Sequence, residues 1–135
     1  MPTPAPSRIL IVDDDPLFLK ALGDMLQDEG YQVVAAFGGQ AGIENFQSAL
    51  TGPEPFYLVF TDLGMNQVDG RQVAAAVKKA SPSTPVILLT GWAKWFEPGD
   101  NLSLPADRVL AKPLKLHELR ETLARYLPPG RTGDI

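Results

Sequence analysis

Five short apolar runs, each separated from the next by a longer segment, constrain the fold of this chain more than any other feature. The runs span residues 9–12, 33–36, 56–60, 86–89 and 109–111. Each is too short for a helix and is rich in Val, Ile, Leu or Phe, which is typical of a strand buried on both faces. Such strands, alternating with helices, predict an α/β fold whose parallel sheet is covered on both faces.

The intervening segments carry helix signals of unequal strength. Asp15 and Pro16 predict an N-cap followed by proline at the first helical position, and Gly30 marks the expected end of that helix. Apolar spacing indicates three further helices, of which the first two are weaker, near residues 40–50, 68–80 and 116–127.

The segment between the fourth and fifth runs departs from this alternation. Residues 92–104 lack a sustained helical stripe, and Pro98-Gly99 would interrupt one. The fourth helix of the (βα)5 arrangement is therefore expected to be short, displaced or missing. Three aromatic residues of this segment either pack over the exposed sheet or form a surface for a partner, including a second copy in a homodimer: Trp92, Trp95 and Phe96.

One domain accounts for the length of the chain and for the distribution of its prolines. Of 135 residues, 13 are proline, and five of these lie among the first seven or last eight positions. Residues 1–7 and 128–135 are therefore predicted to be disordered, and residues 8–127 to form the domain. With no cysteine and one histidine, the chain has no disulfide scaffold, thiol nucleophile or site needing two histidines.

The charge balance argues against direct contact with nucleic acid or membrane. The chain has 12 Lys and Arg against 16 Asp and Glu, a net charge of −4, whereas binding to nucleic acid needs a basic patch. No apolar stretch approaches the ~18 residues that span a bilayer, and the first residues lack the pattern of a signal peptide. A soluble, cytoplasmic protein is expected.

Polar and ionisable side chains follow four of the five predicted strands. In chain order they are Asp13 to Asp15, Thr61-Asp62, Thr90-Gly91 and Lys112-Pro113. Ligands of open parallel sheets bind beyond the carboxyl ends of the strands, so these groups are expected to share one pocket.

Such a pocket would hold more negative charge than it can neutralise by itself. Two carboxylates ~4 Å apart repel by ~4 kcal/mol at an effective dielectric of ~20. Lys112 offsets one charge, and the remaining deficit with an all-oxygen ligand set favours Mg²⁺ over zinc. A carboxylate beside Mg²⁺ and an ammonium group is the combination that phosphoryl transfer requires.

Four motifs in this order resemble the receiver domain of bacterial two-component response regulators. They are ILIVDDDP at residues 9–16, VFTDLGM at 59–65 with Asp69-Gly70, PVILLTG at 85–91, and LAKP at 110–113. The likeness spans about residues 8–127. It implies a flavodoxin-like, doubly wound fold with strand order 2-1-3-4-5, and a cis peptide bond between Lys112 and Pro113.

The resemblance also implies a role for each residue of the pocket. Asp62 would be the phosphoacceptor, taking a phosphoryl group from a histidine kinase or a histidine phosphotransfer protein. Thr90 would bond a phosphoryl oxygen, and Lys112 would pair with it. Mg²⁺ would be held by Asp14, Asp62 and the backbone carbonyl of Gly64, with Asp13 acting mainly through water.

The function implied is that of a signalling domain rather than a conventional enzyme. It would catalyse its own phosphorylation and dephosphorylation and pass the signal on by a change in partner binding, either as a free-standing receiver or as part of a hybrid sensor histidine kinase. One alternative is a degenerate receiver that acts without phosphorylation, because Val109 stands where many members carry Tyr or Phe. Another is a haloacid-dehalogenase-like phosphatase with Asp13 as nucleophile, although the later acidic pair of that fold is not visible.

Overall fold

Strands and helices alternate around a five-stranded parallel sheet in a computed structural model of the chain, which describes residues 7–65, 67–91 and 106–127. The strands are β1 (Arg8–Asp13), β2 (Gln32–Phe37), β3 (Leu58–Asp62), β4 (Val86–Thr90) and β5 (Arg108–Ala111). The helices of the described residues are α1 (Pro16–Asp28), α2 (Gly39–Leu50), α3 (Gly70–Ala80) and α4 (Leu116–Tyr126). The sheet order β2-β1-β3-β4-β5 confirms the predicted doubly wound α/β fold.

Three predictions concern residues outside the described part of the chain. They are the short or missing helix within residues 92–104, the role of its aromatic side chains, and the disorder of residues 1–6 and 128–135. Ser7, the last residue of the predicted N-terminal extension, is described and buried. Its carbonyl oxygen accepts a hydrogen bond from the N–H of Gln32 at 3.1 Å, which joins the start of β1 to β2.

Two apolar cores, one on each face of the sheet, follow from the alternation of side chains along buried strands. Ile9 and Ile11 of β1 belong to a core with α1 and α4, whereas Leu10 and Val12 belong to a core with α2 and α3. The central strands β3 and β4 are buried at every position, which explains their continuous apolar runs. Within the described ranges, none of the helices combines the length and apolar character that a bilayer crossing requires.

Helix caps fix where two helices leave the carboxyl edge of the sheet. Asp15 caps α1 by accepting a hydrogen bond from the N–H of Leu17 at 3.0 Å, and Pro16 begins the helix as expected. Asp69 caps α3 in a capping box with Gln72. The cap explains why α3 begins at residue 70 rather than near residue 68.

The third strand lies two residues further along the chain than its apolar run indicated. The run predicted a strand over residues 56–60, but β3 spans Leu58–Asp62. Phe56 is buried instead against Phe46 of α2, with ring centroids 6.4 Å apart. Asp62 is consequently held by the sheet itself, because it pairs in register with Leu89 of β4.

Candidate functional site

Three carboxylates lie together at the carboxyl edge of the sheet. Asp13 ends β1, Asp14 follows it, and Asp62 ends the neighbouring strand β3. One oxygen atom from each of these side chains lies within 4.8 Å of the others. The parallel sheet therefore brings together acidic residues that are far apart in the sequence.

Lys112, one residue beyond β5, directs its ammonium group into these carboxylates. Its Nζ lies 2.7 Å from Oδ2 of Asp13 and 3.2 Å from Oδ1 of Asp62. The backbone N–H of Lys112 donates to the carbonyl oxygen of Thr90 at 3.0 Å, which ties the residue to the end of β4. The peptide bond to Pro113 is cis, as the sequence resemblance implied.

Asp13 and Asp62 differ in how far their carboxylates are already engaged. Oδ1 of Asp13 accepts a hydrogen bond from the N–H of Asp15 at 2.9 Å, and its Oδ2 accepts one from Lys112. Only 2% of the Asp13 side chain is exposed, compared with 11% for Asp62. Asp62 is therefore the more accessible of these two carboxylates to an incoming reactant.

Burial and crowding shift the protonation of this cluster. Burial raises the pKa of Asp62, the negative charge of Asp13 raises it further, and Lys112 lowers it only in part. Burial by itself would lower the pKa of Lys112, but its hydrogen bond to Asp13 and the charge of Asp62 outweigh that effect and raise it. The ammonium form of Lys112 is thus favoured, while the charged form of Asp62 carries a free-energy cost.

The donor set fits a hard divalent cation. Its ligand atoms are carboxylate oxygens, which suit Mg²⁺, and the described residues of the cluster include no histidine or cysteine. Three carboxylates against one ammonium group leave two negative charges, the amount that one divalent ion neutralises. The residues present therefore fit the predicted ion in both chemistry and charge.

Thr90 and Gly64 lie at the same edge of the sheet. Thr90 is the last residue of β4, only 2% exposed, and pairs in register with Ala111, the residue before Lys112. Gly64 is exposed and lies two residues beyond the end of β3. The residues that the sequence predicted for the pocket therefore all lie near the end of a strand at this edge: Asp13, Asp14, Asp62, Gly64, Thr90 and Lys112.

The loop that leaves Asp62 is tightly packed and locally strained. A Cβ atom on Gly70, the first residue of α3, would overlap the carbonyl oxygen of Asp62, so only glycine lets the helix begin this close to β3. Gln67, within the same loop, has a φ of 63°, a conformation that residues with a Cβ rarely adopt. Strain of this kind tends to occur beside functional groups.

One contact of the site was not predicted from the sequence. The Nζ of Lys112 lies 4.1 Å from the ring centroid of Phe18, the third residue of α1. Helical spacing predicts only that Phe18 belongs to the apolar stripe of α1, because the contact depends on how α1 packs beside the end of β5. The one sequence signal for the contact is the position of Phe18, one helical turn after the acidic triplet Asp13 to Asp15.

Comparison with known proteins identifies the family. The family model described as the response regulator receiver domain matches residues 9–124. The chain belongs to this family. The crystal structure of the response regulator protein TrrA from Thermotoga maritima, in complex with Mg²⁺-BeF, matches this receiver with a TM-score of 0.77 and 31% identity. The match covers 90% of this chain and 99% of that one.

Two curated relatives are longer proteins with a similar segment. The transcriptional regulatory protein GlrR of Escherichia coli (strain K12) is 44% identical over 85 residues, which are 63% of this chain and 18% of GlrR. The sensor protein GacS of Pseudomonas syringae pv. syringae is 32% identical over 124 residues, which are 88% of this chain and 13% of GacS. The receiver thus spans less than a fifth of either relative, and the likeness does not extend to the rest of their length.

Proposed function

We propose that this receiver accepts a phosphoryl group on Asp62 from a phosphohistidine of a histidine kinase or a histidine phosphotransfer protein. The observation that carries the proposal is the position of Asp62, whose Oδ1 lies 3.2 Å from the ammonium of Lys112 and beside two further carboxylates. Two similar proteins support it. GacS is a sensor protein, and TrrA was crystallised with Mg²⁺-BeF.

The nucleophile in this proposal is a carboxylate oxygen of Asp62. It forms a bond to phosphorus as the bond from phosphorus to the imidazole nitrogen breaks, and the imidazole leaves with the electron pair of that bond. Asp13 is less suited to this attack, because Lys112 and a backbone N–H already engage both of its oxygens. Attack by water on phosphorus later returns the carboxylate and releases inorganic phosphate.

The surrounding residues neutralise charge on the transferred group. The Lys112 ammonium would pair with a phosphoryl oxygen, and the Thr90 hydroxyl would donate a hydrogen bond to another. When bound, Mg²⁺ would supply further positive charge for the phosphoryl oxygens. The residues proposed to hold it are Asp14, Asp62 and the carbonyl of Gly64, with Asp13 acting through water.

The signal would pass on through a change in protein binding, without direct contact to nucleic acid or membrane. Residues 8–127 would act as one domain, and the net charge of −4 disfavours a phosphate-rich partner. A receiver with this function would be located in the cytoplasm, because histidine kinases take their phosphoryl group from ATP, which is available there.

Mass spectrometry of the intact chain after incubation with acetyl phosphate tests this function. With Mg²⁺, the wild-type protein should gain the mass of one phosphoryl group; without Mg²⁺ it should gain little or none. Asp62→Asn should abolish the gain, and Asp14→Asn should reduce it at limiting Mg²⁺. Asp28→Asn, an exposed substitution on α1, is the matched control and should behave as wild type.

The same measurement separates the alternatives. Labelling that survives in Asp62→Asn and is lost in Asp13→Asn would contradict the proposal and indicate the haloacid-dehalogenase-like mechanism. A wild-type chain that takes up no phosphoryl group from acetyl phosphate or from a phosphorylated histidine donor would instead support a receiver that acts without phosphorylation.

A further inference from the structure

The ring of Phe18 covers a third side of the Lys112 ammonium. Nζ is 2.7 Å from Asp13 Oδ2, 3.2 Å from Asp62 Oδ1 and 4.1 Å from the centroid of the Phe18 ring. The face of an aromatic ring attracts a cation within about 6 Å of its centroid, so all three contacts are attractive. Of the three groups that contact the ammonium, the Phe18 ring is the one that cannot ionise.

The three contacts respond differently when the site reacts. Phosphorylation converts the Asp62 carboxylate into an acyl phosphate, so the negative charge moves from the carboxylate to the phosphoryl oxygens, and a bound cation competes with Lys112 for the oxygens of Asp13 and Asp62. The Phe18 contact does not depend on either event. We infer that Phe18 is a positioning residue, whose ring holds the Lys112 ammonium at the site before and during phosphoryl transfer; this inference rests on the proposed function of Asp62.

The fold gives Phe18 a fixed place for this role. It is the third residue of α1, directly after the stretch anchored by the Asp15 cap and Pro16. Its ring is partly buried and packs against the core between α1, α4 and the sheet, as does Leu114 from the segment after Lys112. The ring is thus held by packing on one side and meets the ammonium on another, where only 22% of the Lys112 side chain is exposed.

Nuclear magnetic resonance of the full chain tests the contact without any phosphoryl donor or metal. Protons above an aromatic ring resonate upfield, so the Hε protons of Lys112 should lie upfield of those of the exposed Lys20. The upfield shift should persist in Asp62→Asn, remain in Phe18→Tyr and disappear in Phe18→Leu. Lys112 Hε protons that resonate with those of Lys20 in the wild type would overturn the inference, with no variant needed.

Kinetics test whether the contact matters for the reaction. With acetyl phosphate and Mg²⁺, Phe18→Leu should lower the initial rate of Asp62 phosphorylation about two- to fivefold, which corresponds to the usual strength of a partly exposed cation–π contact. Phe18→Tyr retains the aromatic face and should restore the wild-type rate. A rate in Phe18→Leu equal to that of the wild type, or an equal loss in both variants, would overturn the positioning role.

A matched control separates positioning from general destabilisation. Phe56→Leu also removes a ring that lies against a cation, since Arg8 is 4.6 Å from its centroid, but Phe56 precedes β3 at the opposite edge of the sheet. This variant should lose stability and keep the wild-type rate at a temperature where it is folded. Failure of the wild type to be phosphorylated would reject the proposed function and, with it, the role of Phe18 in transfer. Lys112 Hε protons without the upfield shift, in a chain that is phosphorylated, would reject the Phe18 inference alone.

Discussion

Two lysine–aspartate pairs with the same separation lie at opposite edges of the sheet. At the carboxyl edge, Lys112 Nζ lies 2.7 Å from Oδ2 of Asp13. At the amino edge, Lys78 Nζ of α3 lies 2.7 Å from Oδ2 of Asp107, the residue before β5. The two pairs have the same chemistry and distance, so their surroundings decide what each can do.

The surroundings differ in charge balance. Lys78 also donates to the carbonyl oxygen of Thr84 at 2.8 Å, and Asp107 also accepts from the N–H of Val86 at 2.8 Å. Among the described residues, one cation there meets one anion, and the other partners are neutral backbone groups. Lys112 instead faces a cluster of three carboxylates. A balanced pair fastens one edge of the sheet, whereas the unbalanced cluster retains affinity for a cation and a reactive carboxylate.

Replacing each lysine by methionine should break the two pairs to different extents. Lys112→Met leaves three crowded carboxylates, one of them almost fully buried, and should lower the free energy of unfolding by about 3 kcal/mol without Mg²⁺. Lys78→Met leaves Asp107 with a backbone partner and 34% of its side chain exposed, so the loss should be about 1 kcal/mol. Urea denaturation measures both, and a greater loss in Lys78→Met would contradict the contrast.

Replacing one aspartate at each edge by asparagine should change stability in opposite directions. Asp62→Asn removes a charge that burial and Asp13 make unfavourable, so it should raise the free energy of unfolding at pH 7 without Mg²⁺. The gain should be on the order of 1 kcal/mol, because attraction to Lys112 offsets much of the repulsion. Asp107→Asn removes the charge that balances Lys78 and should lower stability by roughly 0.5 kcal/mol.

The pH dependence of Asp62→Asn gives a second test with a defined sign. The pKa of Asp62 is higher in the folded chain than its ordinary value of 3.8, so the folded state holds this proton more tightly than the unfolded state. The contribution of Asp62 to stability therefore falls as the pH rises from below 3.8 through the folded pKa. The difference between variant and wild type should grow over that window in metal-free urea titrations. A difference in the free energy of unfolding that does not change with pH would show that folding does not raise the pKa of Asp62, and would contradict this prediction.

The sequence predicted the sheet and the carboxylate site better than it predicted the amino edge, for a physical reason. Buried strands must be apolar on both faces, so their runs and the residues that follow them are visible in one dimension. No sequence pattern indicates the pairing of Lys78 with Asp107, because it joins residues that the sequence separates widely. The Phe18 contact was hidden for the same reason.

Backbone strain also distinguishes the edges, with a smaller expected effect. At the amino edge, the turn from α1 to β2 has its positive φ of 95° at Gly30, whereas the loop after Asp62 has a φ of 63° at Gln67. A left-handed conformation costs a residue with a Cβ about 1 kcal/mol, and the greater freedom of glycine in the unfolded chain offsets part of any gain. Gln67→Gly should therefore raise the free energy of unfolding by about 0.5 kcal/mol, while Gly30→Ala should lower it by about 1 kcal/mol. If urea denaturation shows that Gln67→Gly is destabilising, side-chain contacts of Gln67 outweigh the strain, and the carboxyl edge differs from the amino edge in charge alone.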